Sequence, residues 1–409
     1  MKFKQIVFLF LLMAFAATAY ADQADEAYAK LFSPEVSEKE IEQMFAGSFL
    51  DAVPFAKIKE ILQIYKSSLG NFKSLDPQKQ PLELVFAEGT VKTTIGFDQQ
   101  GKINTLWFGP PELVGDSLEK VLALFGKIDG KVSVCLMKNN VDLLIDLNSA
   151  EPLGVGSAFK LYILKALDQQ VKAGKIKWND LVKIEAGSKS FPSGILQDWP
   201  VGTSLTLESM AALMISISDN TATDHLFNLV GREEMTRILP RTYNPAFNTL
   251  ELFKLKVFFP EIGKKFVEAD MNGKLQILAD LATKELEFDS SLEKLKNWKK
   301  PLMIDKLEWF VSARDLCDTI FHLKESSLLK INPAYGLVDK KDWETVGFKG
   351  GSEPGVLNYT WVFQPRGDKD FYCLSCTYNN NVDAEKTSDF DLAVSRLIKL
   401  LQQKKVEVH

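Results

Sequence analysis

The chain has 409 residues, 46% of them hydrophobic and 25% charged, with a formal net charge of −5 and three histidines. That length carries two domains and a sizeable core, and the composition excludes wholesale disorder. A mildly acidic balance offers no electrostatic case for nucleic-acid binding. At the N-terminus, Lys2 and Lys4 precede an apolar run from Ile6 to Ala17, and Ala19-Tyr20-Ala21 forms an A-x-A site before Asp22. The pattern predicts an export leader over residues 1–21. The alternative is an uncleaved anchor, for which the apolar run is short. Removing the leader takes two lysines and no acids, so the mature balance is 47 − 54 = −7. No later segment has the length and hydropathy of a membrane span, so a periplasmic protein without stable membrane insertion is expected.

Residues 22–112 read as helices followed by strands. Apolar spacing predicts helices over Glu38–Phe45 and Phe55–Tyr65. Strands are predicted over Leu82–Phe86, Thr90–Phe97 and Ile103–Phe108, the last two joined by the turn Asp98-Gln99-Gln100-Gly101. Gly109-Pro110-Pro111 reads as a linker. Beyond it come a helix, Ser117–Phe125, a hairpin, Val132–Met137 with Val141–Asp146, and a helix at Ser157. A long helical region follows to about residue 335. Two or three strands between Thr345 and Tyr378 and a helix, Asp389–Gln402, close the second domain. The basic run Lys294–Lys300 reads as a solvated helix face.

Three motifs stand in order along this second domain: Ser157-Ala158-Phe159-Lys160, Ser218-Asp219-Asn220 and Lys349-Gly350-Gly351. A serine at a helix start with a lysine three residues on places a hydroxyl and an amine on one face, one turn apart. Such a pair can generate a nucleophile without histidine. The spacing alone says little, because it recurs at Ser117/Lys120, Ser291/Lys294 and Ser327/Lys330 on ordinary amphipathic faces. The ordered trio is what separates Ser157.

On these residues the chain resembles the serine β-lactamase and penicillin-binding protein superfamily, closest to class A, whose motifs are S-x-x-K, S-D-N and K-T-G. Ser193-Gly194-Ile195-Leu196, Pro200–Leu207 and Leu213–Thr223 extend the likeness. It runs from about residue 116 to the C-terminus. It implies an α+β architecture, residues 113–409 forming an antiparallel sheet flanked by helices. The preceding domain, 22–112, is similar in pattern and order to cone-shaped NTF2/ketosteroid-isomerase-like modules. The resemblance implies Ser157 as nucleophile, Lys160 as base and Ser218 as proton relay. Asn220 and Lys349 would hold substrate. Gly351 would let the strand approach, and the Ser352 N–H would complete an oxyanion hole with that of Ser157. No metal or cofactor is implied. The expected partner is a small-molecule or peptide acyl substrate, and the expected reaction is an acyl-enzyme on Ser157, with β-lactams first, esters or D-Ala-D-Ala peptides second, and a non-catalytic penicillin-binding or scaffold role third. The sequence says nothing of oligomeric state.

Two departures bear on turnover. Gly350 stands where the family carries Thr or Ser. The loop after Leu239, Pro240–Thr249, holds no acid where class A enzymes carry the glutamate that activates the deacylating water, and Glu251 beyond it reads as a helix cap. Slow deacylation is therefore expected. His225, His322 and His409 offer no triad geometry. Cys135, Cys317, Cys373 and Cys376 read as buried thiols. The resemblance places the Cys135 strand beside that of Cys373 and Cys376, which leaves one cross-strand bridge as the alternative.

Overall fold

The computed structural model describes residues 20–240, 245–334, 337–384 and 387–406, with backbone alone at 288 and 289. The leader up to residue 19, residues 241–244 of the loop after Leu239, and His409 lie outside the described residues. Among those described, no helix is long and apolar enough to cross a membrane, and no group of side chains could hold a metal ion. The chain divides into two compact units. One runs to Leu124 and includes Ser388–Lys405; the other is Phe125–Thr387 with the last four residues.

The first unit opens with helices α1 (20–32), α2 (Glu38–Gln43), α3 (Gly47–Ala52) and α4 (Phe55–Leu69). Ala24, Ala27, Tyr28 and Leu31 of α1 are buried at helical spacing, a stripe that facing strands must cover. Ser37 starts α2 with a reciprocal capping box to Glu40. Gly70, at φ 73°, ends α4 in a conformation suited to glycine. Four strands follow in sheet order β1 (Phe72–Asp76), β2 (Leu82–Phe86), β3 (Gly89–Phe97) and β4 (Ile103–Leu113), all antiparallel. Strict alternation of buried residues in β2 and β3 gives the sheet one apolar face. Gly109-Pro110-Pro111, expected as a linker, lies inside β4. That strand is at the sheet edge, where a proline's missing N–H breaks no ladder on the outer side. The unit adds α5 (Leu118–Phe125) and the C-terminal helix Ser388–Gln402, which packs on β4 and α4. Arg396 of that helix donates to both carboxylate oxygens of Asp116, at 3.0 and 2.6 Å. The final helix thus counts with the first unit, whereas sequence order suggested the second.

The second unit is built on a five-stranded antiparallel sheet. Its strands are β5 (Lys131–Lys138), β6 (Asp142–Leu147), β11 (Trp343–Glu353), β12 (Val356–Pro365) and β13 (Tyr372–Asn379), in spatial order β11-β12-β13-β5-β6. The pairing of β13 with β5, from Tyr372 opposite Lys138 to Asn379 opposite Lys131, joins the two ends of the segment in one sheet. Between them lie β7 (Pro152–Gly154), α6 (Lys160–Lys172), β8 (Leu181–Lys183), β9 (Ser204–Thr206), α7 (Leu207–Ser216) and α8 (Asn220–Val230). Then come α9 (Arg232–Ile238), α10 (Thr249–Phe253), α11 (Pro260–Glu268), α12 (Met271–Ala282), α13 (Phe288–Lys296), β10 (Phe310–Ser312) and α14 (Ala313–His322). The central helix α6 is buried nearly all round, so Leu161, Ile163, Leu164 and Leu167 join one core with residues of α7, α8 and α14. Cys135, Cys317, Cys373 and Cys376 are free, buried thiols. Cys135 faces Ser375 in the register, not a cysteine.

Asn379 fixes the strand that leads to Ser157. Its Oδ1 accepts from the Gly154 N–H and its Nδ2 donates to the Gly154 carbonyl, both at 2.8 Å. Two residues beyond Ser157, Phe159 stacks on Trp309 at 4.1 Å between ring centroids. Replacing Asn379 with leucine strands two buried backbone groups, each costing roughly 1–3 kcal/mol. We expect a loss of about 3 kcal/mol in urea unfolding of Asn379→Leu, summed over those two groups.

Candidate active site

Ser157 sits in a tight 3-10 turn, Gly156–Phe159, that leads directly into α6. Lys160 opens that helix and is fully buried. Its Nζ lies 2.7 Å from the Ser218 carbonyl, 3.0 Å from Ser218 Oγ and 2.7 Å from Asn220 Oδ1. Ser157 is not among these partners. Lys349 approaches the same hydroxyl from β11, with Nζ 3.2 Å from Ser218 Oγ. One serine hydroxyl therefore stands between two buried amines, brought there from three distant parts of the chain.

Burial and the second amine have a common consequence. Burial, with Lys349 next in weight, holds the Lys160 amine well below the ordinary lysine value, against a smaller opposing pull from Asp224 and Asp219. Burial lowers Lys349 to about 7. Two ammonium ions this close to one hydroxyl would repel in a low-dielectric interior. The lowered Lys160 value eases the conflict. Lys160 Nζ donates to the Ser218 carbonyl, the Ser218 hydroxyl oxygen and Asn220 Oδ1.

The Ser-Asp-Asn segment is braced from below. Ser218 takes a left-handed backbone, φ 59°, which is uncommon for a residue other than glycine. Its carbonyl also accepts from Ser193 Oγ at 2.9 Å. Asp219 caps α8 by accepting from the Ala222 N–H, and its other oxygen accepts from the Ile195 and Leu196 N–H groups. A Cβ on Gly194 would stand 2.2 Å from that carboxylate, so the loop can close over Asp219 only with glycine there. Asp219 thus positions the motif and faces away from the chemistry.

The strand β11 presses against the Ser157 turn. A Cβ on Gly351 would stand 2.3 Å from the Ser157 nitrogen and 2.2 Å from the Val155 carbonyl oxygen. A Cβ on Gly156 would stand 3.0 Å from the Ser352 nitrogen. Glycine on both sides lets the two backbones touch, and Ser157 and Ser352 line the same cleft. Gly350 has its own reason. A Cβ there would meet the Phe348 ring and the Asn358 carbonyl oxygen, each at 2.7 Å, so no threonine or serine fits beside them.

The cleft has a volume of about 620 Å³. Ser157, Ser218, Asn220, Lys349, Gly351 and Ser352 all line it, while Lys160 lies beneath. Its remaining walls are largely apolar, from Ile217, Phe253, Leu295, Trp298, Trp309 and Tyr359. Sequence reasoning missed Leu295 and Trp298. The lysines of the run 294–300 are exposed as expected, but Leu295 and Trp298 turn inward between them. Their helical offset of three residues within a basic run was the available signal. Trp309 belongs both to the core and to the cleft wall.

Glu251 does not face the cleft. It closes a capping box with Asn248 and pairs with Arg232 through both oxygens, at 3.1 and 2.6 Å. Asp224, raised by burial to about 7, accepts from the Thr249 N–H, the Thr249 hydroxyl and the Leu250 N–H, and so anchors the start of α10. His225 is held between the Glu185 N–H and the Thr221 carbonyl, and His322 lies against the Asp318 carbonyl.

Residues 116–279 match the model of the beta-lactamase enzyme family. None of the curated proteins compared matches the chain. Among solved structures, the chain is similar to the beta-lactamase from Sphaerobacter thermophilus, at 18% identity and a TM-score of 0.48, covering 70% of this chain and 96% of that one. It is similar to a beta lactamase from Xanthomonas campestris at 16% identity and a TM-score of 0.48, again over 70% and 96%. It is also similar to the beta-lactamase from Francisella tularensis at 15% identity and a TM-score of 0.47, over 70% and 98%. The matched segment carries the Ser157-x-x-Lys160 and Ser218-Asp219-Asn220 motifs, and its helices stand with the antiparallel sheet that completes a β-lactamase-like fold.

The close approach of Gly351 to Ser157 gives a direct test. Gly351→Ala must push β11 and the Ser352 N–H off the turn. The expectation that Ser157 is a nucleophile and the Ser352 N–H an oxyanion donor predicts that fluorophosphonate labelling of Ser157 then slows by about 100-fold, while circular dichroism stays unchanged.

Proposed function

We propose that the chain is an exported serine acyl-transferring hydrolase that forms an acyl-enzyme on Ser157, with β-lactams or close acyl mimics as substrates. The observation that carries this reading is the Ser218 hydroxyl held between Lys160 and Lys349 beside a serine whose turn is pressed by Gly351. A neutral buried amine is a competent base at neutral pH. In this reading Lys160 takes the Ser157 proton as Oγ attacks the carbonyl. Ser218 gives its hydroxyl proton to the leaving nitrogen and takes in its place the proton that Lys160 received, which returns the amine to its neutral form. The Ser157 and Ser352 N–H groups receive the charge that develops on the carbonyl oxygen. Asn220 and Lys349 orient the amide and carboxylate of the substrate. The loop after Leu239 contributes no acid from its described residues, which supports slow deacylation near neutral pH. Export rests on the leader at residues 1–21.

Gly350 supports a second reading. Without a hydroxyl there, the site loses one contact to a substrate carboxylate, and its apolar walls suit an ester or peptide with a bulky acyl group. Lys349 separates the two readings. It carries its charge below about pH 7 and loses it above. For an anionic lactam, kcat/KM for acylation should therefore fall as pH rises through about 7. A neutral ester should show no such fall.

The direct experiment is intact-protein mass spectrometry after incubation with a penicillin and with a chromogenic cephalosporin, on the wild type and on Ser157→Ala. The expected result is a covalent adduct on the wild type alone, persisting near neutral pH while absorbance stalls. Absence of any adduct with lactams, esters or D-Ala-D-Ala peptides would leave a scaffold or binding role in its place.

A further inference from the structure

Among the described residues that line the cleft, Glu353 is the only carboxylic acid. It is the last residue of β11 and directly follows Ser352. It belongs to a charged cluster that none of the steps above uses. Lys256 Nζ contacts Glu353 Oε1 and lies 2.6 Å from Glu308 Oε2. The Lys256 and Glu308 side chains are wholly buried, while Glu353 keeps 6% of its side chain exposed, so Glu353 is the member that can meet water in the cleft. Lys256 sits on a single π-helical turn, Lys254–Phe258, an irregularity frequent at functional sites. Glu308 is held in turn by the Trp309 N–H at 2.9 Å, next to the aromatic pair that backs the Ser157 turn. Burying two carboxylates around one ammonium is costly, and an apolar trio of similar volume would be at least as stable. The cluster's placement against the cleft, in a site whose loop lacks a base, assigns it a role.

We propose that Glu353 is the general base of deacylation, with Lys256 and Glu308 as its positioning residues. The inference rests on the acyl-enzyme reading above. A water proton passes to the Glu353 carboxylate as the water oxygen bonds to the acyl carbon, and the carbonyl electron pair moves onto the oxygen facing the Ser157 and Ser352 N–H groups. The tetrahedral adduct then collapses. The bond from the acyl carbon to Ser157 Oγ breaks, the proton from Glu353 reaches Oγ, and the carboxylic acid leaves.

The charged groups facing Glu353 are Lys256 and Glu308, and Lys349 stands four residues earlier on the same strand. Burial, then the charge of Glu308, raises the Glu353 carboxyl well above the usual range, and Lys256 only partly opposes them. A base acts only when deprotonated. Deacylation through Glu353 therefore calls for a higher pH than an ordinary carboxylate base would need, and accelerates as pH rises.

The test separates acylation from deacylation. The wild type, Glu353→Gln and Glu308→Gln are acylated with a penicillin, freed of excess reagent, and followed by intact mass from about pH 6 to about pH 9.5. Glu353→Gln is expected to acylate and then lose its adduct at least 100-fold more slowly at the alkaline end, the scale of a lost general base, with no rise with pH. Glu308→Gln, which removes the facing negative charge, is expected to move the rise to lower pH. A Glu353→Gln adduct that hydrolyses with the wild-type rate and profile overturns the proposal and leaves the acyl-enzyme intact. If Glu353→Gln does not fold, Glu308→Gln decides alone, and an unshifted profile overturns the proposal. Failure of the wild type to acylate removes both readings.

Discussion

The structure depends on one electrostatic constraint: two lysine side chains buried against a single serine hydroxyl. Lys160 from the start of α6 and Lys349 from β11 both reach Ser218, and neither faces a carboxylate at contact distance. Two ammonium ions sharing one hydroxyl would each be poorly solvated and would repel, and burial with the neighbouring Lys349 holds Lys160 well below the ordinary lysine value. In the proposed chemistry that lowered amine is the base for Ser157. The same constraint explains the surrounding architecture. The fold must bring residues 160, 218 and 349 together and keep them dry. The antiparallel sheet does this by placing β11, late in the chain, against the turn that begins α6.

The glycines and the Asp219 braces serve the same end. Gly351 and Gly156 allow backbone contact between β11 and the Ser157 turn, while Asp219 binds three backbone N–H groups and so fixes Ser218 in a strained conformation. Strain at Ser218 persists because its carbonyl is held by Lys160 and Ser193 together. The acid pair Glu308 and Glu353 around Lys256 forms a second buried charge cluster, with Glu353 at the cleft. The two systems titrate in opposite senses. Lys349 loses charge as pH rises through about 7, while Glu353 gains it.

Much of the site was legible in the sequence because its motifs are local and ordered. Ser157, Lys160, Ser218, Asn220, Lys349, Gly351 and Ser352 converge on one cleft and its floor, and Glu251, expected at the start of the next helix, is the first-turn acid of the α10 capping box. The hairpin β5–β6 and the closing strands were legible as short apolar runs, and β5 and β13 are buried almost throughout. Other features depend on tertiary neighbours that periodicity does not encode. Phe348 is what makes Gly350 obligatory, and a strand-end glutamate shows no sign of its lysine partner 97 residues earlier. The inward turn of Leu295 and Trp298 was masked by the lysines around them. In the first unit, two consecutive prolines read as a linker, yet an edge strand accommodates them.

The claim that most of this rests on is that Lys160 is a neutral amine in the folded protein. Direct titration of Lys160 by NMR of isotope-labelled lysine, with assignment by Lys160→Arg, tests it. The expected result is a side chain that titrates well below the ordinary lysine value of about 10.4. A Lys160 signal that titrates near that ordinary value would contradict it, because Ser157 would then have no base.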